Sequence, residues 1–440
     1  MRVSAVDQSN DDHEIHISGD VANAFRLYYR MTKNQTWLRR SGWPVVRDCA
    51  DFFASRAVPC NSSSCALRVP GGATSRNLTY LSVVSPDEGA GLRNSSAYTN
   101  GIAVTVLDFA LEVAELLGET PSANWSSVSE RLYLPIVAVP APGFMAGTPV
   151  HTEYHGYNQT ARPHINQADV TLLQYPLGLR SNKRIFPPLP NSKNPDTQLA
   201  INDLLFWQPK SDNQVFYTGD SSNSIAWLEM GNRSAADAQF DLAFTHMDLK
   251  HFNVFEEKNT GNFGHLNFIT GAGGYLQNVV NGYLGLRYTK DGLDLRPVLL
   301  PHGVTSVKLR ALSLAGSRFD VLLSADVVTV RHCPSGVFPL PILTIVAPCF
   351  SWCSSRWWRA WASLSRATAC RTPSCYLATS LPQSSSARLV VVGAPVVGVA
   401  VSRFLTMLML HSGGIPPSRV MTISWTSRRR THSIRAQRDH

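Results

Sequence analysis

The residues that could do chemistry gather in a few stretches. The most distinctive runs from Ser85 to Asn100, Ser-Pro-Asp-Glu-Gly-Ala-Gly-Leu-Arg-Asn-Ser-Ser-Ala-Tyr-Thr-Asn. It places two adjacent carboxylates, Asp87 and Glu88, after a proline and before a glycine-rich bend that opens a helix. A carboxylate mounted on a rigid loop beside a buried helix suits general-acid catalysis, although an Asp-Glu turn in solvent has the same spacing. A second acidic pair, Glu256-Glu257, precedes the glycine-rich run Thr270-Gly-Ala-Gly-Gly274. That run lacks the Lys-Ser/Thr of a phosphate-binding loop, so a tightly packed helix start is the better reading. His151 and His155 are spaced i, i+4 but have no evident third ligand, and no cysteine pair has the C-x2-C spacing of a zinc site.

Elements must position these groups. Asn100 reads as an N-cap for a helix that buries Ala103, Val106, Leu107, Ala110, Leu111, Ala114 and Leu117 and stops at Gly118. Upstream, a helix capped by Asp20 sets Val21, Ala24, Phe25 and Tyr28 on one face. A second has Pro44 in its first turn and Val46, Cys49, Ala50 and Phe53 inward. Residues 183–198 form a Pro/Asn/Lys connector, and helical patterns follow at 199–207, at 222–230, and after a Ser234 cap that buries Ala236, Phe240, Phe244 and Met247. From Gly285 the period shifts to two, with a hairpin on Asp291-Gly292 and further strands to Val330.

Pro-Asp-Glu followed by Asn-Ser-Ser-Ala-Tyr-Thr-Asn resembles the general-acid motif of glycoside hydrolase family 65. That family holds acid trehalases, protein-glucosylgalactosylhydroxylysine glucosidases and disaccharide phosphorylases. The resemblance extends from about Glu14 to Val330. It takes in Glu14-Ile-His16 with the Gly-Asp that follows, Gln167-Ala-Asp-Val170, and Val254-Phe-Glu-Glu257 with Asn267-Phe-Ile-Thr-Gly-Ala-Gly-Gly-Tyr-Leu-Gln277. It implies Glu88 as general acid and Glu257 as general base, with Glu256 its neighbour. It also implies Asn166, Gln167, His16 and Asp87 as substrate contacts, a core histidine being the other reading of His16. Asn166 stands where the family carries lysine and His155 where it carries aspartate; asparagine still bonds a hydroxyl but loses the charge. The family's phosphorylases bind phosphate where Glu257 lies, so a glutamate argues for hydrolysis.

The fold this implies is mainly α: an incomplete (α/α)6 barrel over residues 14–282, a small C-terminal β domain over 283–330, and disordered segments at 1–13 and in the tail 331–440. The family's N-terminal β-sandwich and first barrel helices would have to precede Glu14. The expected activity is inverting hydrolysis of a terminal α-glucoside, glucosyl-galactosyl-hydroxylysine or trehalose-like, with no metal or organic cofactor. An inactive carbohydrate-binding fragment is the alternative.

Composition separates the tail from the rest. The net charge of +9 comes entirely from residues 331–440, which hold 13 Arg, no Lys and a single acidic residue, Asp439. Those residues also contain five of the ten Trp and five of the eight Cys, but no Glu or Asn. No ordinary folded class has that bias, and it matches an out-of-frame translation of GC-rich sequence. The apolar run Leu389–Val401 is too short to span a bilayer, and a nucleic-acid-binding reading rests only on the tail's charge, at Arg428-Arg429-Arg430. The expected partner is therefore a carbohydrate. Seven Asn-X-Ser/Thr sequons, at Asn34, Asn61, Asn77, Asn94, Asn124, Asn158 and Asn232, point to a secreted, vacuolar or lysosomal glycoprotein. The polar residues after Met1 are no signal peptide and point to the cytoplasm, so localisation stays open. Cys60 and Cys65 flank a short loop that suits a disulfide.

Overall fold

The computed structural model describes residues 12–60, 66–68, 74–139, 147–211, 219–245, 247–248, 254–257, 267–324 and 327–333, and strands at 343–346, 376–380, 387–391, 402–411 and 421–426. Cys65 and Asn61 lie outside the described residues; Cys60 is disulfide-bonded and Cys49 is free. The structure is mainly helical and divides into two compact units, Met1–Arg26 with Gln35–Asn278, and Leu27–Asn34 with Val279–His440.

Helix α1 (His16–Thr32), of which the residues up to Arg26 belong to the first unit, begins a turn earlier than the Asp20 cap implied. Asp20 therefore lies inside the helix, and the inward face rotates to His16, Gly19, Ala22 and Asn23, leaving Val21 and Tyr28 exposed. The short α2 (Gln35–Trp37) runs through a π-turn into α3 (Trp43–Arg56), which has Pro44 in its first turn and buries Val46, Ala50 and Phe53, with Cys49 half-buried. Helix α4 (Ala97–Leu117) is the centre of this unit. It packs between α3 and α5 (Ala123–Arg131) and is buried along both its apolar and its polar positions. Its cap is Ser96, whose hydroxyl accepts from the Thr99 amide, not Asn100. Asn100 instead lies within the buried first turn, where its amide donates to the Tyr133 carbonyl at 2.5 Å. The polar run before it is thus part of the helix, with the Thr99 backbone amide capped by Ser96 and the Asn100 side-chain amide held by the Tyr133 carbonyl. At the other end Gly118 adopts φ 68°, the left-handed stop expected of it.

Helices α6 (Gln198–Ser211), α7 (Asp220–Glu229), α8 (Arg233–Thr245) and α9 (Ile269–Gln277) complete the unit. The residue that caps α8 is Asn232, whose Oδ1 accepts from the Ala235 amide, rather than Ser234. Phe244 is consequently exposed, and Met247 sits in a short strand. Two of the three glycines of α9, Gly271 and Gly274, serve packing as expected of that run, whereas Gly273 faces open space. A Cβ at Gly271 would lie 3.0 Å from Phe268, and one at Gly274 would lie 3.3 Å from Ser221 on α7.

In the second unit, Ser306–Leu314, Ser317–Ser324, Val327–Cys333 and Tyr376–Ser380 form an antiparallel sheet in that order. Burial alternates along Ser317–Ser324, and Phe319, Val321 and Leu323 join Leu284, Leu286, Leu293 and Leu295 in one core. The Asp291-Gly292 hairpin forms, pairing Tyr288 with Leu293. A second sheet joins 287–288 and 293–295 to 343–346, 387–391, 402–411 and 421–426. Residues 343–346 run parallel to Leu293–Leu295, and Tyr376–Ser380 runs antiparallel to Val327–Cys333; apart from these strands, the expected disordered tail lies outside the described residues. Among the described residues no helix is long and apolar enough to cross a membrane. Of the described sequons, Asn77 is buried, whereas Asn34, Asn94, Asn124, Asn158 and Asn232 are exposed.

Candidate active site

The loop that carries Glu88 is pinned at its neck. Val83 and Arg93 exchange both backbone hydrogen bonds, at 2.9 and 2.8 Å. Between them Glu88–Ala90 winds into a 3-10 turn, and Gly91 at φ 67° turns the chain back. Glu88 is the exposed member of the acidic pair. It lines a cavity of about 300 Å³ together with Ser85 and Pro86 of its own loop, Glu14, His16 and Ile17 at the start of α1, and Gln167, Ala168 and Leu172. Three of the expected site residues, Glu88, Gln167 and His16, thus converge.

His16 is buried, and its Nδ1 lies 3.2 Å from the Val84 carbonyl. A carbonyl can only accept, so Nδ1 carries the proton and Nε2 is left as an acceptor. Burial lowers the imidazole to about pKa 4, which keeps the ring neutral, and it stands edge-on to Tyr98 at 5.7 Å. The Tyr98 hydroxyl donates to Asp20 at 2.6 Å, and burial raises Asp20 to about 6. The Gln167 side-chain amide donates to the Pro86 carbonyl and so ties the 167–170 stretch to the acid loop. That stretch is seated by the 3-10 turn Val170–Leu173, which packs against α4 where Gly101 admits Leu173.

Asp87, expected to contact substrate, turns inward instead. It is fully buried, pairs with the Arg162 guanidinium and accepts from the Asn166 amide at 3.2 Å. An aspartate on this turn is too short to reach the cavity once Arg162 holds it. Asn166 contributes its backbone to that contact, while its side chain lies against Gly89. Two more buried carboxylates stand behind Asp87. The Asp87 amide donates to Asp169 at 3.3 Å, and the Ser85 hydroxyl donates to Glu153 at 3.4 Å. Burial, then the charges of Asp169 and Asp87, push Glu153 up to about 9; burial above all raises Asp169 to about 7. The site therefore rests on Asp87, Glu153, Asp169 and Arg162, of which sequence reasoning singled out Asp87 alone. A signal for Asp169 was present: it lies inside the Gln167-Ala-Asp-Val170 stretch that resembles the family.

Glu257 lies just past the strand Val254–Phe255, half-buried, and is not among the described residues that line this cavity. The Phe255 carbonyl accepts from the Phe268 amide at 2.8 Å, which sets the start of α9 beside this acidic strand. His151 is closed to any ligand. Its Nδ1 meets Asp203 at 2.8 Å and its Nε2 meets the Ile185 carbonyl at 2.8 Å, all fully buried. His155 packs edge-on to Tyr133 at 6.0 Å. Among the described residues, no three His, Cys, Asp or Glu side chains are arranged to hold a metal ion.

The model of the glycosyl hydrolase family 65 central catalytic domain matches residues 2–188, the span that holds Glu88, Gln167 and the carboxylates behind them. Residues 2–188 belong to glycoside hydrolase family 65. Among the relatives of this family 65 segment is the protein-glucosylgalactosylhydroxylysine glucosidase of Dictyostelium discoideum, 31% identical over 72% of this chain and 39% of that protein. The periplasmic acid trehalase of Saccharomyces cerevisiae is 28% identical over 75% of this chain and 26% of its own length. The chain thus spans less than half the length of these curated relatives. A solved structure titled a putative kojibiose phosphorylase from human microbiome shares the fold, with a TM-score of 0.50 and 16% identity over 75% of this chain and 42% of that one.

Proposed function

We propose that this chain is an inverting α-glucosidase, built on an incomplete (α/α)6 barrel followed by a small β domain, and acting on glucosyl-galactosyl-hydroxylysine or a trehalose-like α-glucoside. The observation that supports it best is the meeting of Glu88, Gln167 and neutral His16 around one cavity. Glu88 would give its proton to the glycosidic oxygen as the bond to the anomeric carbon breaks. A water oxygen would attack that carbon from the opposite face while Glu257 takes the water's proton. Such a pair needs its carboxyls roughly 6.5–9.5 Å apart. Gln167 and His16 would hold glucose hydroxyls, His16 as acceptor. One substitution favours a second reading, a carbohydrate-binding protein without turnover: Asn166 presents no charge where the family has lysine.

The test is release of glucose from trehalose and from glucosyl-galactosyl-hydroxylysine, with the anomer of the first product read by NMR. β-Glucose formed by the wild type and lost in both Glu88→Gln and Glu257→Gln is the expected result. Undiminished release by Glu88→Gln would remove the acid assignment, and α-glucose as first product from glucosyl-galactosyl-hydroxylysine, or two α-glucoses in place of one α and one β from trehalose, would remove inversion.

A further inference from the structure

We propose that Arg162 is the positioning residue of the acid loop, a clamp that grips both neighbours of Glu88 and so fixes where its carboxyl points. The proposal rests on the assignment of Glu88 as acid. Its carrying observation is the fork of the guanidinium. One terminal nitrogen donates to the Gly89 carbonyl at 2.5 Å, and the other donates to the Asp87 carboxylate. Residues 87 and 89 are thereby held from one planar group, and Glu88 is the only residue between them. Bidentate contacts of this kind set orientation as well as position.

The clamp is itself braced. The Arg162 amide donates to the Asn158 carbonyl at 3.0 Å, and the Arg162 carbonyl accepts from the Tyr157 hydroxyl at 2.7 Å. Asn158 in turn caps this bend through its side chain, which accepts from the Thr160 amide at 2.9 Å. On the loop side a Cβ at Gly89 would overlap the Asn166 side-chain amide, so any larger residue there would have to displace that side chain. Asp87 is buried and Arg162 nearly so, with side-chain exposures of 0% and 19%, so water screens their pairing little. A misplacement of about 1 Å in a catalytic group can cost on the order of 100-fold, and a general acid contributes about 10²–10⁴-fold in all.

Two substrates separate positioning of the acid from general damage. Trehalose needs its leaving oxygen protonated; α-glucosyl fluoride loses fluoride without a proton from the acid. In the full chain, Arg162→Gln is expected to lower kcat on trehalose by about 100-fold, with KM changed by less than about threefold and hydrolysis of α-glucosyl fluoride nearly retained. Arg162→Lys keeps a charge for Asp87 but not the fork, so it should fall between the two. Equal losses on both substrates, or no loss on either, would overturn the proposal. Where Arg162→Gln leaves Asp87 unpaired and the fold fails, the Arg162→Gln/Asp87→Asn double variant removes both charges and takes its place. A readout free of catalysis accompanies it: hydrogen exchange at the Ala90 and Gly91 amides should quicken in the variant while α4 amides stay protected. Unchanged loop exchange would overturn the clamp whatever the kinetics show. A wild type that cleaves neither substrate defeats the hydrolase reading instead, and the exchange result still decides the clamp.

Discussion

Replacing Glu153 with glutamine should make the protein's stability less sensitive to alkali. Glu153 is fully buried and is pushed up to about 9 by burial and by the neighbouring Asp169 and Asp87, whereas in the unfolded chain it titrates near 4.5. Its folded-state value is raised, so the stabilisation is complete below 4.5 and is lost as pH rises toward 9. Over that window only the native state holds the proton, and stability falls by about 1.4 kcal/mol per pH unit. From about pH 5.5 to about pH 8.5 the wild type should therefore lose on the order of 4 kcal/mol from this one group. Glutamine copies the protonated carboxyl in shape and can still accept from the Ser85 hydroxyl, yet it has no proton to lose. Asp87, Asp169, Arg162 and Tyr157 face the same group, but they are common to both proteins and largely cancel in the difference. The assay is urea unfolding of wild type and Glu153→Gln across that range, compared at matched m-values. The two should lie within about 1 kcal/mol of each other at the acid end and diverge steadily in the variant's favour. Parallel pH profiles would mean that Glu153 is ionised in the native state, and the reasoning about this cluster would fail.

Asp203→Ala should cost about 3–5 kcal/mol, because it strips the buried His151 ring and amide of their acceptor. A shift in urea midpoint worth less than about 1 kcal/mol would show that water replaces the carboxylate there. Gly101→Ala sets two effects against each other. Alanine gains about 1 kcal/mol in helix propensity, but its Cβ would lie 2.5 Å from Leu173 Cδ2, and overpacking costs about 1–3 kcal/mol. Net destabilisation is expected, and a higher melting temperature for the alanine variant would show that Val170–Leu173 yields freely.

Much of this protein was legible in order along the chain. Helix α4 announced itself by apolar spacing and by Gly118, since a left-handed stop is cheap only for glycine. The Asp291-Gly292 hairpin and the packing of Gly271 against Phe268 were equally local. Glu88 was legible as a carboxylate on a loop before a buried helix, and Gln167 and His16 through motif resemblance. Helix starts were read less well. Asp20 and Ser234 have capping side chains, but the Asn232 carbonyl oxygen won at α8 and α1 simply began earlier. What only the tertiary structure decided is the inward turn of Asp87 and the cluster beneath the loop. Asp87 meets Arg162 from 75 residues away and Asp169 from 82. No periodicity encodes such a meeting, because the cost of burying a charge depends on which distant groups arrive beside it. The chain alone pointed to Glu88; the fold decided what holds its loop.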